Sequence, residues 1–91
     1  MKVKFFATYR GLTGCSETDV PAPSDVWALL TYVADRYGEA MRAKLFTPDG
    51  KDIGADAIVL VNGRNIQYLK GKETALSETD VVSLFPMVAG G

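Results

Sequence analysis

The sequence contains one strong amphipathic-helix pattern, and this pattern restricts the folds that the chain can adopt. Five apolar residues recur at helical spacing and form a single stripe: Val26, Leu29, Leu30, Val33 and Tyr37. Ser24 is a natural N-cap for this helix, and Gly38 stands where a helix commonly ends. Because a helix with one apolar stripe must cover an apolar surface, the pattern predicts a β-sheet packed against it.

The segments on either side of the helix have the patterns of β-strands. Alternation from Val3 to Tyr9 predicts a first strand, with Val3, Phe5, Ala7 and Tyr9 facing the helix, followed by a turn over residues 11–14. Residues 17–20 are predicted to return as a second strand. The apolar run of residues 57–61 predicts an interior strand, and Asn62-Gly63 predicts a hairpin to a brief strand over residues 64–66. Residues 81–85 form the last predicted strand, which Pro86 closes.

This order of elements predicts an α+β protein. A mixed sheet of four to five strands covered by one main helix is the layout of the β-grasp, or ubiquitin-like, fold, in which the first and last strands are central neighbours. Other α+β rolls share the same order along the sequence. We predict a single domain over residues 1–86 and a flexible C-terminal tail over residues 87–91.

The composition excludes several classes of function. The chain has one cysteine, Cys15, and no histidine, which excludes an internal disulfide, an iron–sulfur cluster, a structural zinc site and histidine-dependent nucleophilic catalysis. A net charge of −1 argues against nucleic-acid binding. No apolar run has the length of a membrane span or a signal peptide. We therefore expect a cytoplasmic protein without a membrane partner, a metal site or catalytic side chains of its own.

The sequence ends in two glycines, Gly90 and Gly91. Glycine is the most costly residue to order, so a terminal pair contributes nothing to stability. One interpretation is an irrelevant frayed end. The other is functional: a tail without side chains can enter a narrow channel in another protein, where the carboxylate of Gly91 reacts. Pro86 favours the functional interpretation, because it ends the last strand and releases an extended arm.

Two aromatic residues break the alternating pattern. Phe6 is predicted to point away from the helix, and Phe85 shares a strand face with Val81 and Ser83. If the first and last strands are neighbours, the two rings lie together on a polar surface and mark a partner site. The alternative is that each is an isolated exposed aromatic residue.

Three segments together resemble a known family. They are the first strand from Val3 to Ala7, the Asn62-Gly63 turn after an apolar strand, and the segment from Asp80 to Gly91. The chain resembles the MoaD family of ubiquitin-like sulfur carriers, which includes the small subunits of molybdopterin synthase and is related to ThiS. The resemblance covers essentially the whole chain. It departs from the family at Met87, where proline is more usual.

The resemblance implies a mechanism. A ubiquitin-activating-like adenylyltransferase uses ATP to adenylate the carboxylate of Gly91, and a sulfur donor protein then supplies the sulfur of a thiocarboxylate. The tail, Met87, Val88, Ala89, Gly90 and Gly91, inserts into the large subunit of molybdopterin synthase and donates the sulfur to a pterin precursor. Phe6, Phe85 and Pro86 match the partner interface. The resemblance implies no cofactor bound by this chain, since ATP is used by the activating partner.

Three other functions remain open at this stage. A sulfur carrier for thiamine or cysteine biosynthesis has the same fold and the same terminal glycines. A ubiquitin-like protein modifier is joined through its last glycine to lysines of substrates, and some relatives combine conjugation with sulfur transfer. In a plain interaction domain, the tail is passive.

Overall fold

Five strands form one mixed sheet in the computed structural model, which describes residues 1–87. The strands are β1 (Lys2–Phe5), β2 (Glu17–Asp19), β3 (Ala57–Val61), β4 (Arg64–Asn65) and β5 (Val81–Pro86). Their order across the sheet is β2-β1-β5-β3-β4. β1 and β5 are parallel neighbours at the centre, and the other pairs are antiparallel. The predicted β-grasp arrangement, with the first and last strands side by side, is confirmed.

Three α-helices accompany the sheet within residues 1–87: α1 (Thr8–Thr13), α2 (Val26–Tyr37) and α3 (Glu39–Leu45). α2 is the predicted amphipathic helix. Its N-cap is Asp25, whose carboxylate accepts a hydrogen bond from the amide of Ala28 at 2.9 Å, so the prediction of Ser24 as the cap was wrong by one residue. Gly38 follows α2 with φ of 97°, a conformation that lets the chain turn directly into α3.

The buried side chains form a single cluster between the sheet and the helices. α2 contributes most of its apolar stripe, and β1 and β5 contribute alternate residues such as Val3, Phe5, Val82 and Leu84. Because alternate residues of a strand point to opposite faces, the residues between them lie on the outer face of the sheet. The fold therefore has one covered face and one open face.

β1 ends four residues earlier than the alternating pattern predicts. The chain turns after Phe5, the amide of Tyr9 donates a hydrogen bond to the carbonyl of Phe6 at 3.1 Å, and residues 8–13 form α1 instead of a strand end and a turn. Tyr9 is buried as predicted, but from a helix, and Ala7 is exposed rather than buried. The pattern misleads because Tyr9 faces the same core from α1 as Phe5 does from β1, so the alternation continues past the residue where the strand ends.

This early turn places Ala7 in a conformation that favours glycine, with φ of 53° and ψ of −131°. We expect Ala7→Gly to raise the free energy of unfolding by about 1 kcal/mol, because glycine has no Cβ to strain there. The melting temperature should rise by about 4–8 °C. Ala43→Gly, at an exposed position within α3, is the matched control and should lower stability by about 0.5–1 kcal/mol. A loss of stability in Ala7→Gly would contradict the turn described here.

The connections after α3 follow the predicted turn chemistry. Asn62 and Gly63 have φ of 52° and 83°, as a two-residue hairpin requires, and join β3 to β4. β4 ends at Asn65, one residue before the predicted end, because a short 3₁₀ turn (Ile66–Tyr68) begins there. The Asn62 side chain accepts a hydrogen bond from the amide of Val81 and donates one to Asp80, so the hairpin also holds the start of β5.

Candidate partner-binding site

The rings of Phe6 and Phe85 lie together on the open face of the sheet. Their centroids are 6.0 Å apart and their planes are almost perpendicular, which is a favourable edge-to-face arrangement. With Ala7, Leu60, Ser83 and Pro86, they line a shallow apolar depression, and we call these six residues the aromatic patch. Phe6 is 38% exposed although it is a large apolar side chain. The prediction that the two rings meet is therefore confirmed.

The register of the central strands produces this meeting. Phe5 lies opposite Leu84 in the parallel β1–β5 pair, and both are buried. The next residues along each strand then point outward, and the amide of Phe6 donates a hydrogen bond to the carbonyl of Leu84 at 3.1 Å. The backbone itself thus holds the two rings in place.

β3 adds apolar surface that the sequence interpretation did not include. Ile58 is paired with Phe85, and Leu60 with Ser83, so both side chains lie on the open face. The continuous apolar run of β3 hides this outward pair, because every residue in it looks like core. Strand alternation in β3, combined with the pairing of β3 with β5, could have predicted that Ile58 and Leu60 point outward.

Charged side chains border the apolar surface on the β1–β2 side. Lys4 is paired with Ser83, and Lys2 forms an ion pair with Glu17 at 3.1 Å at the β1–β2 side. The hydrogen bond from Lys2 to Glu17, together with the negative charge of Glu17, raises the pKa of Lys2 above its usual value. An apolar patch with a charged rim is typical of a protein-binding surface.

The last described residues continue from the aromatic patch. The amide of Met87 donates a hydrogen bond to the carbonyl of Asp56 at 2.7 Å, which extends the pairing beyond Pro86. The prediction that Pro86 closes the last strand was therefore wrong, because β5 includes Pro86. The Met87 side chain is 56% exposed. Val88, Ala89, Gly90 and Gly91, which together with Met87 form the predicted inserted tail, lie outside the described residues, so the predicted boundary of the domain and the predicted role of the tail stay predictions.

Other kinds of site have little support in residues 1–87. No three potential metal ligands are grouped together in this part of the chain. Cys15 lies in the turn after α1, where its Sγ is 3.7 Å from the hydroxyl of Tyr37. None of the described helices has the length and apolar character needed to span a membrane.

Comparisons with known proteins agree with this geometry. The model of the ThiS family matches residues 3–91. Small archaeal modifier protein 3 of Haloferax volcanii is 34% identical over 93 residues, which cover 100% of this chain and 98% of that protein. The solution structure of small archaeal modifier protein 1 from Methanosarcina acetivorans is 33% identical, with a TM-score of 0.84 over 99% of this chain and 94% of that one. A candidate molybdopterin converting factor subunit 1 from Pyrococcus furiosus is 32% identical, with a TM-score of 0.71 over 96% and 95%.

Proposed function

The chain belongs to the ThiS family of ubiquitin-like sulfur carriers, and we propose that it carries sulfur as a thiocarboxylate on Gly91. We further propose that it acts as the small subunit of molybdopterin synthase and donates this sulfur to the pterin precursor of the molybdenum cofactor. The observation that carries the proposal is the aromatic patch at the end of β5, immediately before the segment that leads to Gly91.

Adjacent parts of the chain would serve for docking of the partner and for delivery of the sulfur. A partner that covers Phe6 and Phe85 buries apolar surface, which stabilises the complex. The backbone continues from Phe85 through Pro86 to Met87, so the same partner meets the start of the tail. This arrangement explains how a chain without histidine can take part in group transfer, since the partners supply the catalytic groups.

The proposed chemistry consists of three transfers that involve the carboxyl group of Gly91. The carboxylate of Gly91 attacks the α-phosphorus of ATP on an adenylyltransferase and releases pyrophosphate. Hydrosulfide from a sulfur donor protein then attacks the acyl carbon, and AMP leaves. In the large subunit of molybdopterin synthase, the sulfur attacks a carbon of the pterin precursor and displaces an oxygen substituent from it. Water then cleaves the resulting thioester, which leaves the sulfur on the pterin as a thiol and regenerates the carboxylate of Gly91. Two such transfers build one dithiolene, so the carrier leaves and is recharged between them.

The first test is the mass of the protein from its native host, as a Cys15→Ser variant treated with an alkylating reagent. We expect an alkylated adduct confined to the C-terminal peptide, because Cys15 is the only cysteine and a thiocarboxylate is the remaining sulfur nucleophile. A variant lacking Gly91 is the control and should carry no adduct. A free carboxylate throughout, even with an adenylyltransferase, ATP and a sulfur donor present, would refute sulfur carriage. Transfer of the sulfur to the pterin precursor in the presence of the large subunit tests the pathway.

Protein modification is the second candidate function. Two relatives that match almost the whole chain, from Haloferax volcanii and Methanosarcina acetivorans, are named as modifier proteins. The proposed adenylate of Gly91 is also the intermediate that an amine can attack to form an isopeptide bond. Peptides with Gly91 attached to a substrate lysine, found in host extract under denaturing conditions, would support this function. Their absence in a host where the thiocarboxylate is present would leave sulfur transfer alone.

A further inference from the structure

A groove lies beside the base of the tail. It has a volume of about 610 Å³ and its walls include Tyr9, Lys44, Pro48, Asp56, Pro86 and Met87. We call it the tail-base groove. Ala7 and Pro86 line both this groove and the aromatic patch, so the two surfaces are continuous.

Tyr9 lines this groove, and its hydroxyl has no hydrogen-bond partner among residues 1–87. The Tyr9 side chain is 99% buried, since only 1% of its surface is exposed, and its hydroxyl makes no hydrogen bond to any residue from 1 to 87. No side-chain oxygen or nitrogen in that range is sealed in the interior without a partner, so the hydroxyl oxygen keeps a small exposed surface, and Tyr9 lines the groove. Burial, and to a smaller extent the charge of Asp56, raises the pKa of Tyr9 above its usual value. The hydroxyl is therefore protonated at neutral pH and offers both a donor and an acceptor.

The walls of the groove present two negative groups, the carboxylate of Asp56 and the carbonyl end of α3. Asp56 lines the same groove as Tyr9 and brings an exposed carboxylate to its wall. Ala43 and Lys44 bring the carboxyl end of α3 to the same wall, where the backbone dipoles point their negative ends. Lys44 is the opposing charge, but its side chain is exposed and can extend into solvent.

We propose that the tail-base groove binds a basic side chain, arginine or lysine, of the protein that activates Gly91. Its N–H groups donate to the carboxylate of Asp56 and to the hydroxyl oxygen of Tyr9, and its aliphatic stem packs against Pro48 and Pro86. The proposal rests on the proposed function, because a partner that covers the aromatic patch and takes the tail must also pass over this groove. Tyr9 and Asp56 then act as binding residues for that partner, in addition to the two aromatic rings.

The test uses the adenylyltransferase from the same organism and measures ATP–pyrophosphate exchange as a function of carrier concentration. We expect Tyr9→Phe and Asp56→Asn each to raise KM roughly tenfold and to leave kcat unchanged, because the first removes a hydrogen-bond acceptor and the second removes the negative charge that attracts the cation. Tyr68→Phe is the matched control, since Tyr68 is 85% exposed and lies outside the groove. Lys44→Gln should leave KM unchanged or lower it.

The possible outcomes distinguish failure of the groove proposal from failure of the proposed function. If the wild-type chain supports no exchange, the proposed function fails. If it supports exchange and both variants keep the wild-type KM, the groove proposal is overturned. A higher KM in Lys44→Gln alone would mean that the occupant is acidic, and this also overturns it. Asp56 is exposed, so Asp56→Asn still tests the groove proposal if Tyr9→Phe proves to be unfolded in thermal denaturation.

Discussion

Phe85→Ser should lower kcat/KM for adenylation of the chain by about 100-fold while the protein stays folded. Aromatic anchors at the centre of an interface typically contribute about 2–4 kcal/mol to binding, and each 1.4 kcal/mol corresponds to about tenfold. Phe85 is half-buried, packs edge-to-face on Phe6 and lies beside the segment that leads to Gly91. Serine keeps the strand and its backbone hydrogen bonds but removes the apolar surface that a partner covers.

Val81→Ser is the matched control for this prediction. Val81 lies on the same face of β5 as Phe85 and is also half-buried, but it is at the other end of the strand and outside the aromatic patch. Exchange assays on both variants, with urea denaturation as the check on folding, make the comparison. Equal losses in the two variants would mean that the effect is general to β5 and that the aromatic patch is not the docking surface.

The meeting of Phe6 and Phe85 within the aromatic patch was predictable because it depends on two regular properties of strands. Alternation in β5 places Val82 and Leu84 on the buried face and Phe85 on the open one. The β-grasp order makes β1 and β5 neighbours, which brings Phe6 to Phe85. Both steps follow from strand alternation and strand order, so no side-chain contact has to be known beforehand.

The turn after β1 was not predictable from the same pattern. Ala7 adopts a positive φ without being glycine, so no residue type marks the turn. Gly11, which the sequence interpretation placed in a turn, lies inside α1, and Gly14 with φ of 77° is the residue that ends this helix. Packing of Tyr9 into the core outweighs the local preferences of a six-residue helix that contains glycine.

The tail-base groove could not be predicted from the sequence, for a different reason. Tyr9, Lys44 and Asp56 come from three distant parts of the chain, and no spacing or motif links them. The groove depends on how α1 and the end of α3 pack near the base of the tail, and on the loop that precedes β3. These are tertiary contacts that a periodic pattern does not encode.

Leu84→Ala should lower the free energy of unfolding by about 3 kcal/mol, within the usual range for a buried leucine. Leu84 is fully buried in the central strand β5, where it is paired with Phe5 of β1 on one side and Val59 of β3 on the other. Truncation leaves a cavity between two strand pairs that have little freedom to collapse. Ser83→Ala, at the neighbouring half-exposed position, should change stability by less than about 0.5 kcal/mol. Urea denaturation of both variants measures the difference.

Leu84→Ala also separates stability from docking. A domain of this size has an unfolding free energy of about 5–10 kcal/mol, so the variant remains mostly folded at 25 °C. Its open face is unchanged, and it should therefore be adenylated with a kcat/KM near that of the wild type. A loss below about 1 kcal/mol would contradict the packing of β5 described here. A large fall in kcat/KM with folding intact would show that the aromatic patch depends on the core beneath it, because Leu84 and Phe85 are adjacent residues of one strand and share the backbone that orients the ring.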